Sequence, residues 1–124
     1  MELIIPFETK WKRCDHITLL VMADDDPVGT CMVDIGKQGE DAGKAFLWNL
    51  QVDMWYRKRG FGRHLLETAI ELAKNRGCSE MRLEWFVGDS PRWVLHWYER
   101  NGFQECAFSR DIVQMRLDLE GGEQ

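Results

Sequence analysis

The sequence predicts a single α+β domain spanning residues 1–124, and three observations indicate it. Apolar runs of strand length occur at residues 1–7, 17–23 and 28–35, separated by polar or turn-forming residues. Residues 45–87 then read as a strand, a glycine turn, a helix and a strand. Antiparallel strands that precede such a unit are typical of a sheet with helices packed on its faces.

The composition of the 124-residue chain is that of one globular domain. A chain of this length buries about two-thirds of its unfolded surface in a single core. The four cysteines form no Cys-x-x-Cys pair, so we expect small buried thiols in a reducing compartment and no metal site or redox dithiol. They are Cys14, Cys31, Cys78 and Cys106.

Charge and hydropathy exclude several classes of partner. The amino terminus has no basic segment, and nowhere do about 18 apolar residues follow one another, which predicts a cytoplasmic protein with no membrane partner. The net charge of −5 disfavours nonspecific binding to nucleic acids. It would mildly attract a cationic substrate.

The first strands are predicted from apolar runs and the turns between them. Residues 1–7 form a strand that ends near Pro6, and residues 17–23 stop at residues 24–27, Asp-Asp-Asp-Pro. That stretch reads as a hairpin connection to the strand at 28–35. We interpret its three aspartates as a solvated turn rather than a metal or amine site. A glycine-rich loop follows.

The strand at residues 45–52 leads into a basic glycine turn and a long helix. Apolar residues recur at helical spacing from Leu65 to Ala73, and Gly77 suits the position just after the helix. Glycines let the backbone approach a ligand closely, and the first helical turn presents unpaired N–H groups and the positive end of the dipole. We therefore expect an anion such as a pyrophosphate. The turn contains Arg57, Lys58, Arg59, Gly60, Gly62 and Arg63.

Two known phosphate-binding patterns do not fit this turn. A Walker loop needs four residues between its glycines, whereas Gly60 and Gly62 are separated by one. A dinucleotide-binding fingerprint needs a third glycine where Leu65 stands, and its first glycine directly after the strand.

The remaining elements complete the sheet. Residues 80–87 form a strand, and residues 88–91 break it and begin a helix at 92–101, which Gly102 closes. Residues 103–108 and 112–119 are extended. The strand–helix–strand unit should be a right-handed parallel crossover.

A third phosphate-binding pattern does fit. Arg57-x-x-Gly60-x-Gly62, with its lead-in from Val52 to Tyr56, closely resembles the acetyl-CoA motif of the GNAT superfamily of N-acetyltransferases, Arg/Gln-x-x-Gly-x-Gly/Ala. The motif lies between a strand and a helix, as it does in that superfamily.

A second motif resembles the same superfamily. Residues 97–103, Trp-Tyr-Glu-Arg-Asn-Gly-Phe, are similar to the Phe-Tyr-Glu-Lys-x-Gly-Phe signature on the helix after the second core strand. The resemblance extends from Phe46 to the final strand. It implies a mixed, mostly antiparallel twisted sheet that splays at its two central parallel strands and carries helices on both faces.

The resemblance also implies a site for acetyl-CoA. Val52 would pair through its main chain with the pantetheine arm, and residues 57–63 would hold the pyrophosphate through N–H groups and basic side chains. Tyr98 would protonate the departing thiolate. The implied coenzyme-binding residues are Leu50, Val52, Arg57, Lys58, Arg59, Gly60, Phe61, Gly62 and Arg63.

Acetyl transfer needs a neutral amine, a stabilised oxyanion and a protonated sulfur. Tyrosine suits the last task because its ordinary pKa, about 10, is close to that of a leaving thiol. The candidate base is Glu84 in the second core strand. Asp89 and His64 are alternatives, and a water chain without a dedicated base is a further one.

The chain departs from the superfamily pattern in two places. The superfamily usually carries one or two helices between its first two strands, but residues 8–16 leave room for one short turn, so the acceptor side should be open. A small or peptide amine could enter there, or a second subunit could complete the wall as a homodimer. In addition, Pro91 replaces an asparagine that often contacts the coenzyme.

The resulting hypothesis is an enzyme that moves an acetyl group from acetyl-CoA to a primary amine by direct attack in a ternary complex. The alternative is an acyl-CoA-sensing or assembly module with the same fold and no turnover. Five tryptophans are expected around the cleft, where core packing is commoner than ligand binding and Trp55 is the best exception. They are Trp48, Trp55, Trp85, Trp93 and Trp97.

Overall fold

A computed structural model describes residues 2–119, which form one seven-stranded sheet and two α-helices. The strands are β1 (Glu2–Lys10), β2 (Cys14–Ala23), β3 (Asp26–Gly36), β4 (Lys44–Val52), β5 (Glu80–Phe86), β6 (Gln104–Ser109) and β7 (Ile112–Asp118). The helices are α1 (Phe61–Asn75) and α2 (Arg92–Arg100), and short 3-10 turns occupy Gly39–Asp41 and Met54–Tyr56. The predicted α+β class and the order of elements are confirmed.

The sheet is antiparallel except at its centre. Its strand order is β1-β2-β3-β4-β5-β7-β6. The pair β4 and β5 runs parallel, and every other neighbouring pair runs antiparallel. The parallel strand–helix–strand unit expected from the sequence is therefore present, with α1 as its connection.

Both helices pack on the same face of the sheet, which we call the helical face. Buried residues alternate along the strands on this face, including Leu19, Val33 and Leu83, and α1 contacts β2, β3 and β4 there. Both ends of α2 meet the same face. At its start the Trp85 indole N–H donates to the Pro91 carbonyl, and at its end Gly102 lies next to Leu117.

The other side of the sheet, the open face, carries no α-helix among residues 2–119. This differs from the expectation of helices on both faces. The reason is local: β1 and β2 form a hairpin that pairs as far as Lys10 with Asp15, and only residues 11–13 connect the two strands. The family's additional helices have no room there. The open face consequently exposes large apolar side chains such as Phe7 and Trp48.

Gly77 ends α1 as predicted. It has φ +79, and its N–H donates to the Lys74 carbonyl at 2.9 Å. The N–H of Cys78 donates to the Ala73 carbonyl at 3.0 Å. These two bonds define a Schellman ending, which satisfies carbonyls that the helix itself leaves unpaired.

Two edge strands differ in detail from the prediction. β1 continues through Pro6 to Lys10 rather than ending near Pro6, which an edge strand tolerates because one side of it needs no N–H donors. β6 is exposed along its whole length, so Cys106 is exposed. That cysteine does not follow the expectation of burial. Within residues 2–119, no helix is both long and apolar enough to cross a membrane.

Candidate active site

The two central strands separate after a short paired stretch. β4 and β5 are paired over three residues, from Lys44 with Glu80 to Phe46 with Arg82, although β4 continues to Val52. Beyond Phe46, the side of β4 that faces β5 has no strand beside it in the described chain. A gap therefore opens between the two strands, as the resemblance implied.

A β-bulge lies in the part of β4 that borders this gap. Asn49 has φ +55, and the register with β3 shifts between Thr30 and Met32, so that Asn49 and Leu50 together lie opposite one residue. The bulge changes the direction of the β4 main chain next to the gap. Sequence reasoning missed it, and the tolerance of asparagine for positive φ was the available signal.

The glycine turn leads directly into the amino terminus of α1. Gly60 has φ +88, which favours glycine, and an added Cβ there would meet no protein atom within 4 Å. Within the described range 2–119, the main-chain N–H groups of residues 58–63 have no protein acceptor. Six main-chain donors at or just before the positive end of the helix dipole thus have no protein acceptor within residues 2–119.

Arg57 is turned back onto β4. Its Nε donates to the Val52 carbonyl oxygen at 3.0 Å. This bond uses Nε, and the expectation that Arg57 adds its charge to a pyrophosphate site stays a prediction. The same bond uses one lone pair of the Val52 carbonyl and fixes the spacing between the turn and the strand, which leaves the second lone pair for a ligand.

Two other basic side chains of the turn have protein partners. The Arg59 guanidinium lies 5.2 Å from the centre of the Tyr56 ring, and Arg63 Nε donates to Glu67 at 3.1 Å. Lys58 has φ +64 and has no ion pair within residues 2–119. Of the four cations, only Arg63 is paired with a carboxylate within residues 2–119, so the positive charges of the other three remain at the turn.

Phe61 and Gly62 contribute to the turn in different ways. The Phe61 side chain is buried and packs edge-on against Tyr56, with ring centres 5.9 Å apart, so only its N–H can reach a ligand. A Cβ on Gly62 would lie 3.6 Å from Val52 and 3.9 Å from Trp97, which is ordinary contact. Alanine would fit there, in agreement with the Gly/Ala position of the motif.

A cleft of about 390 Å³ lies where β4 and β5 part. Glu84 lies in it beside Gln114, its partner in the register with β7. The Glu84 side chain is exposed and has no hydrogen bond or ion pair within residues 2–119, so it is available as a proton acceptor. The cleft is lined by Glu40, Asp41, Lys44, Phe46, Leu47, Arg82, Leu83, Glu84 and Gln114.

Most of these lining residues were missed by sequence reasoning. Glu40 and Asp41 belong to a loop predicted only as glycine-rich and charged. The structure folds this loop back over the sheet, where Gly36 lies so close to Asp41 that a Cβ at Gly36 would be 2.0 Å from its carbonyl oxygen. No local pattern in the sequence signals that long-range packing.

Tyr98 lies on the helical face, between Trp97 and Phe103, with ring centres 5.2 Å and 5.6 Å away. Its side chain is buried, and its hydroxyl has no hydrogen-bond partner among residues 2–119. Burial raises the pKa of Tyr98 well above its ordinary value, and the nearby Cys31 thiol adds to the effect. The hydroxyl therefore keeps its proton throughout the physiological pH range, but burial makes it a weaker acid than an ordinary tyrosine, whose pKa is closer to that of a leaving thiol.

The residues that follow Tyr98 in the second motif fix its position. Gly102 has φ +100, and an added Cβ would lie 3.1 Å from Leu117. Phe103 donates its N–H to the Tyr98 carbonyl at 3.1 Å and packs its ring against the tyrosine. Gly102 and Phe103 thus form a second Schellman ending, which gives this part of the motif a structural role.

The candidate catalytic residues are not in one cavity. Glu84 is on the open face and Tyr98 on the helical face, so a reacting group between them would occupy the gap between β4 and β5. Asp89 lies in the exposed turn after β5, and His64 lies in the first turn of α1; neither lines the cleft. Within residues 2–119, no three His, Cys, Asp or Glu side chains are grouped to hold a metal ion.

Comparison with known sequences decides the family. A profile described as the acetyltransferase (GNAT) family matches residues 2–103, well over half of the chain. The chain belongs to the GNAT family.

Two curated relatives are similar to this GNAT chain. Streptothricin acetyltransferase from Streptomyces lavendulae is 29% identical over 101 residues, which cover 73% of this chain and 52% of the relative. The ribosomal protein bS18-alanine N-acetyltransferase of Escherichia coli K12 is 37% identical over 68 residues, covering 55% and 45%. The GNAT chain thus spans about half the length of the curated relatives it matches.

Two solved structures share the fold of this GNAT protein. The ribosomal-protein-S18-alanine N-acetyltransferase from Escherichia coli superposes with a TM-score of 0.79 at 20% identity, covering 96% of this chain and 94% of that one. The PaiA N-acetyltransferase from Thermoplasma acidophilum, solved in complex with coenzyme A, has a TM-score of 0.73 at 25% identity, covering 83% and 60%. The predicted mixed sheet with a central parallel pair is confirmed.

Proposed function

We propose that this protein transfers an acetyl group from acetyl-CoA to a primary amine by direct attack in a ternary complex. The observation that carries the proposal is the combination of a gap between β4 and β5 with a turn whose N–H groups at residues 58–63 are unpaired. Membership of the GNAT family supports it.

The coenzyme would lie along the gap. The pantetheine arm would pair with the main chain of β4 at Leu50 and Val52, whose carbonyl also holds Arg57. The pyrophosphate would accept hydrogen bonds from residues 58–63. Each hydrogen bond to a charged group contributes roughly 1.5–3 kcal/mol, and the helix dipole adds roughly 0.3–1 kcal/mol, so several converging donors suffice for micromolar affinity.

In the reaction, the acetyl group would lie in the gap between β4 and β5, which joins the two faces of the sheet. The acceptor nitrogen attacks the thioester carbon, and the carbon–sulfur bond breaks as the tetrahedral intermediate collapses. Glu84, on the open face, would take the proton of the amine directly or through water. Tyr98, which its raised pKa keeps protonated, would give a proton to the departing thiolate.

The acceptor would be a small-molecule or peptide amine. One relative is named for acetylation of streptothricin and the other for acetylation of an alanine of a ribosomal protein, and both names describe amine acceptors. The open face supports entry of either kind, because no α-helix among residues 2–119 walls the cleft.

Release of free thiol from acetyl-CoA in the presence of amines tests this function. Tyr98→Phe should lower turnover by about 100-fold through loss of the general acid. It should leave coenzyme affinity unchanged. The control is Tyr56→Phe, which keeps the ring that packs on Phe61 and supports Arg59.

Equal turnover of Tyr98→Phe and the parent would remove Tyr98 from the mechanism. Binding of acetyl-CoA without thiol release for any amine or peptide would favour a sensing module over an enzyme.

A further inference from the structure

Polar side chains on the open face, away from the cleft, are joined by hydrogen bonds. Asp34 Oδ1 lies 2.6 Å from His16 Nδ1, and Asp34 Oδ2 accepts from Trp48 Nε1 at 3.1 Å. Thr18 Oγ1 lies 3.2 Å from His16 Nε2. The His16 and Asp34 side chains are 13% and 24% exposed, so these bonds are largely shielded from water. Both oxygens of the carboxylate are used to orient rings.

Two tryptophans flank the histidine. Trp11 stacks on the His16 ring with centres 4.9 Å apart and planes 10° apart, and Trp48 lies 5.7 Å away at a tilt of 46°. Both tryptophans remain about half exposed, at 50% and 46%. Trp48 is held by its hydrogen bond to Asp34 and Trp11 by its stacking on His16, while about half of each residue is accessible from solvent, as in a preorganised binding surface.

The chemistry of this cluster fits a cation. The faces of indole rings attract ammonium and guanidinium groups. The carboxylate of Asp34 adds negative charge at the edge of the Trp48 ring by accepting its N–H, to the extent that its partner His16 is neutral, and the net charge of −5 favours the approach of cations. Within the described chain, no lysine or arginine forms an ion pair with Asp34.

The cluster is continuous with the cleft. Trp48 is on the same face and the same strand as Phe46, which lines the cleft, and it directly precedes the bulge at Asn49. Because the bulge sets Asn49 and Leu50 opposite one residue of β3, β4 advances there by less than its ordinary rise of about 3.3 Å per residue, so Trp48 lies within about 7 Å of Leu50 along β4, where the proposed function puts the coenzyme arm.

We propose that Trp48 and Trp11, held by Asp34 and His16, bind a second positive charge of the acceptor. Preferred acceptors then carry an ammonium or guanidinium group several bonds away from the amine that is acetylated, at the separation between the tryptophans and the coenzyme arm. The inference rests on the proposed acetyl transfer. The second cation can belong to a polyamine or to a basic side chain of a peptide, two sources with the same chemistry.

A kinetic comparison tests the proposal with diamines and amino alcohols of equal length, three to eight carbons. A diamine can place one end at the tryptophans while the other reacts, whereas an amino alcohol cannot. A diamine has two reactive ends, which alone doubles its kcat/KM. Beyond that statistical factor of two, kcat/KM for the best diamine should exceed that of the amino alcohol of equal length by about 5- to 30-fold, as expected for a cation on indole faces.

Substitutions show which side chain causes the preference for diamines. Trp48→Leu should reduce the ratio to the statistical factor, because leucine keeps apolar surface without the indole. Trp93→Leu is the matched control: Trp93 is 57% exposed on α2, on the opposite face, and its loss should leave the ratio unchanged. Peptides with arginine or norleucine at the third position, compared in the same variants, distinguish a peptide source from a polyamine source.

A binding experiment separates this inference from the proposed function. The indole N–H resonances of Trp11 and Trp48 should shift on titration with 1,6-diaminohexane or 6-amino-1-hexanol, without acetyl-CoA, and should not shift with 1,6-hexanediol. If no amine is acetylated but these shifts occur, the proposed function fails and the cation site stands.

Three results would overturn the cation site. One is equal shifts with the neutral diol, and another is a diamine ratio that Trp48→Leu leaves unchanged. The third is a Trp48→Leu variant that converts a dimer to a monomer without changing selectivity, since the surface would then be an interface between two copies of the chain.

Discussion

At the scale of single residues, Gly60 lies at the centre of the turn that is proposed to hold the coenzyme. It has φ +88, so a side chain there strains the backbone, but its Cβ meets no protein atom within 4 Å and causes no clash within the protein. Gly77 provides a matched control at the other end of α1, with φ +79 and equally open space.

We predict that Gly60→Asp abolishes stabilisation by acetyl-CoA while Gly77→Asp retains it. A ligand at 100 times its Kd adds about 2.7 kcal/mol to the free energy of unfolding. The aspartate at position 60 would repel the pyrophosphate and weaken the field of the helix dipole. Urea unfolding with and without acetyl-CoA measures the difference, and equal stabilisation of both variants would contradict the assignment of the turn.

The same scale shows where residue chemistry alone misleads. Arg57 is the first residue of the acetyl-CoA motif, yet its guanidinium binds the Val52 carbonyl. Phe61 belongs to the predicted coenzyme site, but its ring is part of the core. A sequence motif identifies the turn, while the direction of each side chain depends on packing that the motif does not encode.

At the scale of elements, the edge strand β1 is tied to the end of α1. Arg76 Nη1 and Nη2 donate to the two carboxylate oxygens of Glu8 at 2.9 Å and 2.7 Å. These hydrogen bonds lower the pKa of Glu8 from 4.5 to about 2. Because the folded-state pKa is depressed, the pair stabilises the fold above pH 4.5 and loses that contribution as the pH falls from 4.5 towards 2.

Glu8→Gln should therefore flatten the loss of stability between pH 4.5 and pH 2, while the parent loses stability steadily there. Chemical denaturation at a series of pH values measures the slope. An unchanged slope in Glu8→Gln would show that the ion pair does not contribute to acid stability.

The two helix-ending glycines give a second prediction at this scale. Gly102→Ala should destabilise the protein more than Gly77→Ala. Both substitutions place a side chain at positive φ, which costs about 1–2 kcal/mol. At position 102 the Cβ would in addition lie 3.1 Å from Leu117, whereas at position 77 it meets nothing. Urea unfolding measures both, and an equal or smaller loss for Gly102→Ala would contradict the packing around the second motif.

Elements whose signals are local could be predicted from the sequence. The helix α1 follows from its apolar spacing and Gly77, and the hairpin of β2 and β3 follows from the aspartate turn at residues 24–27. The bulge at Asn49 and the loop that carries Glu40 and Asp41 to the cleft could not be predicted. They depend on how distant strands and loops meet.

At the scale of the whole molecule, the two faces of the sheet carry different groups. The helical face holds the core and Tyr98, and the open face presents the cleft with Glu84 and the tryptophan cluster. The gap between β4 and β5 joins the two. The sequence already indicated that no helices fit between β1 and β2. Only the contacts of α1 and α2 showed the consequence, which is that one face of the sheet has no cover of α-helices within residues 2–119.

The central claim is that the unpaired N–H groups of residues 58–63 receive the pyrophosphate of the coenzyme. Backbone amide chemical shifts recorded during titration with coenzyme A, and separately with pantetheine, which has no pyrophosphate, test it most directly. The account predicts large shifts at residues 58–63 with coenzyme A alone, and shifts near Leu50 and Val52 with both ligands. Equal shifts of residues 58–63 with both ligands, or none with coenzyme A, would contradict it.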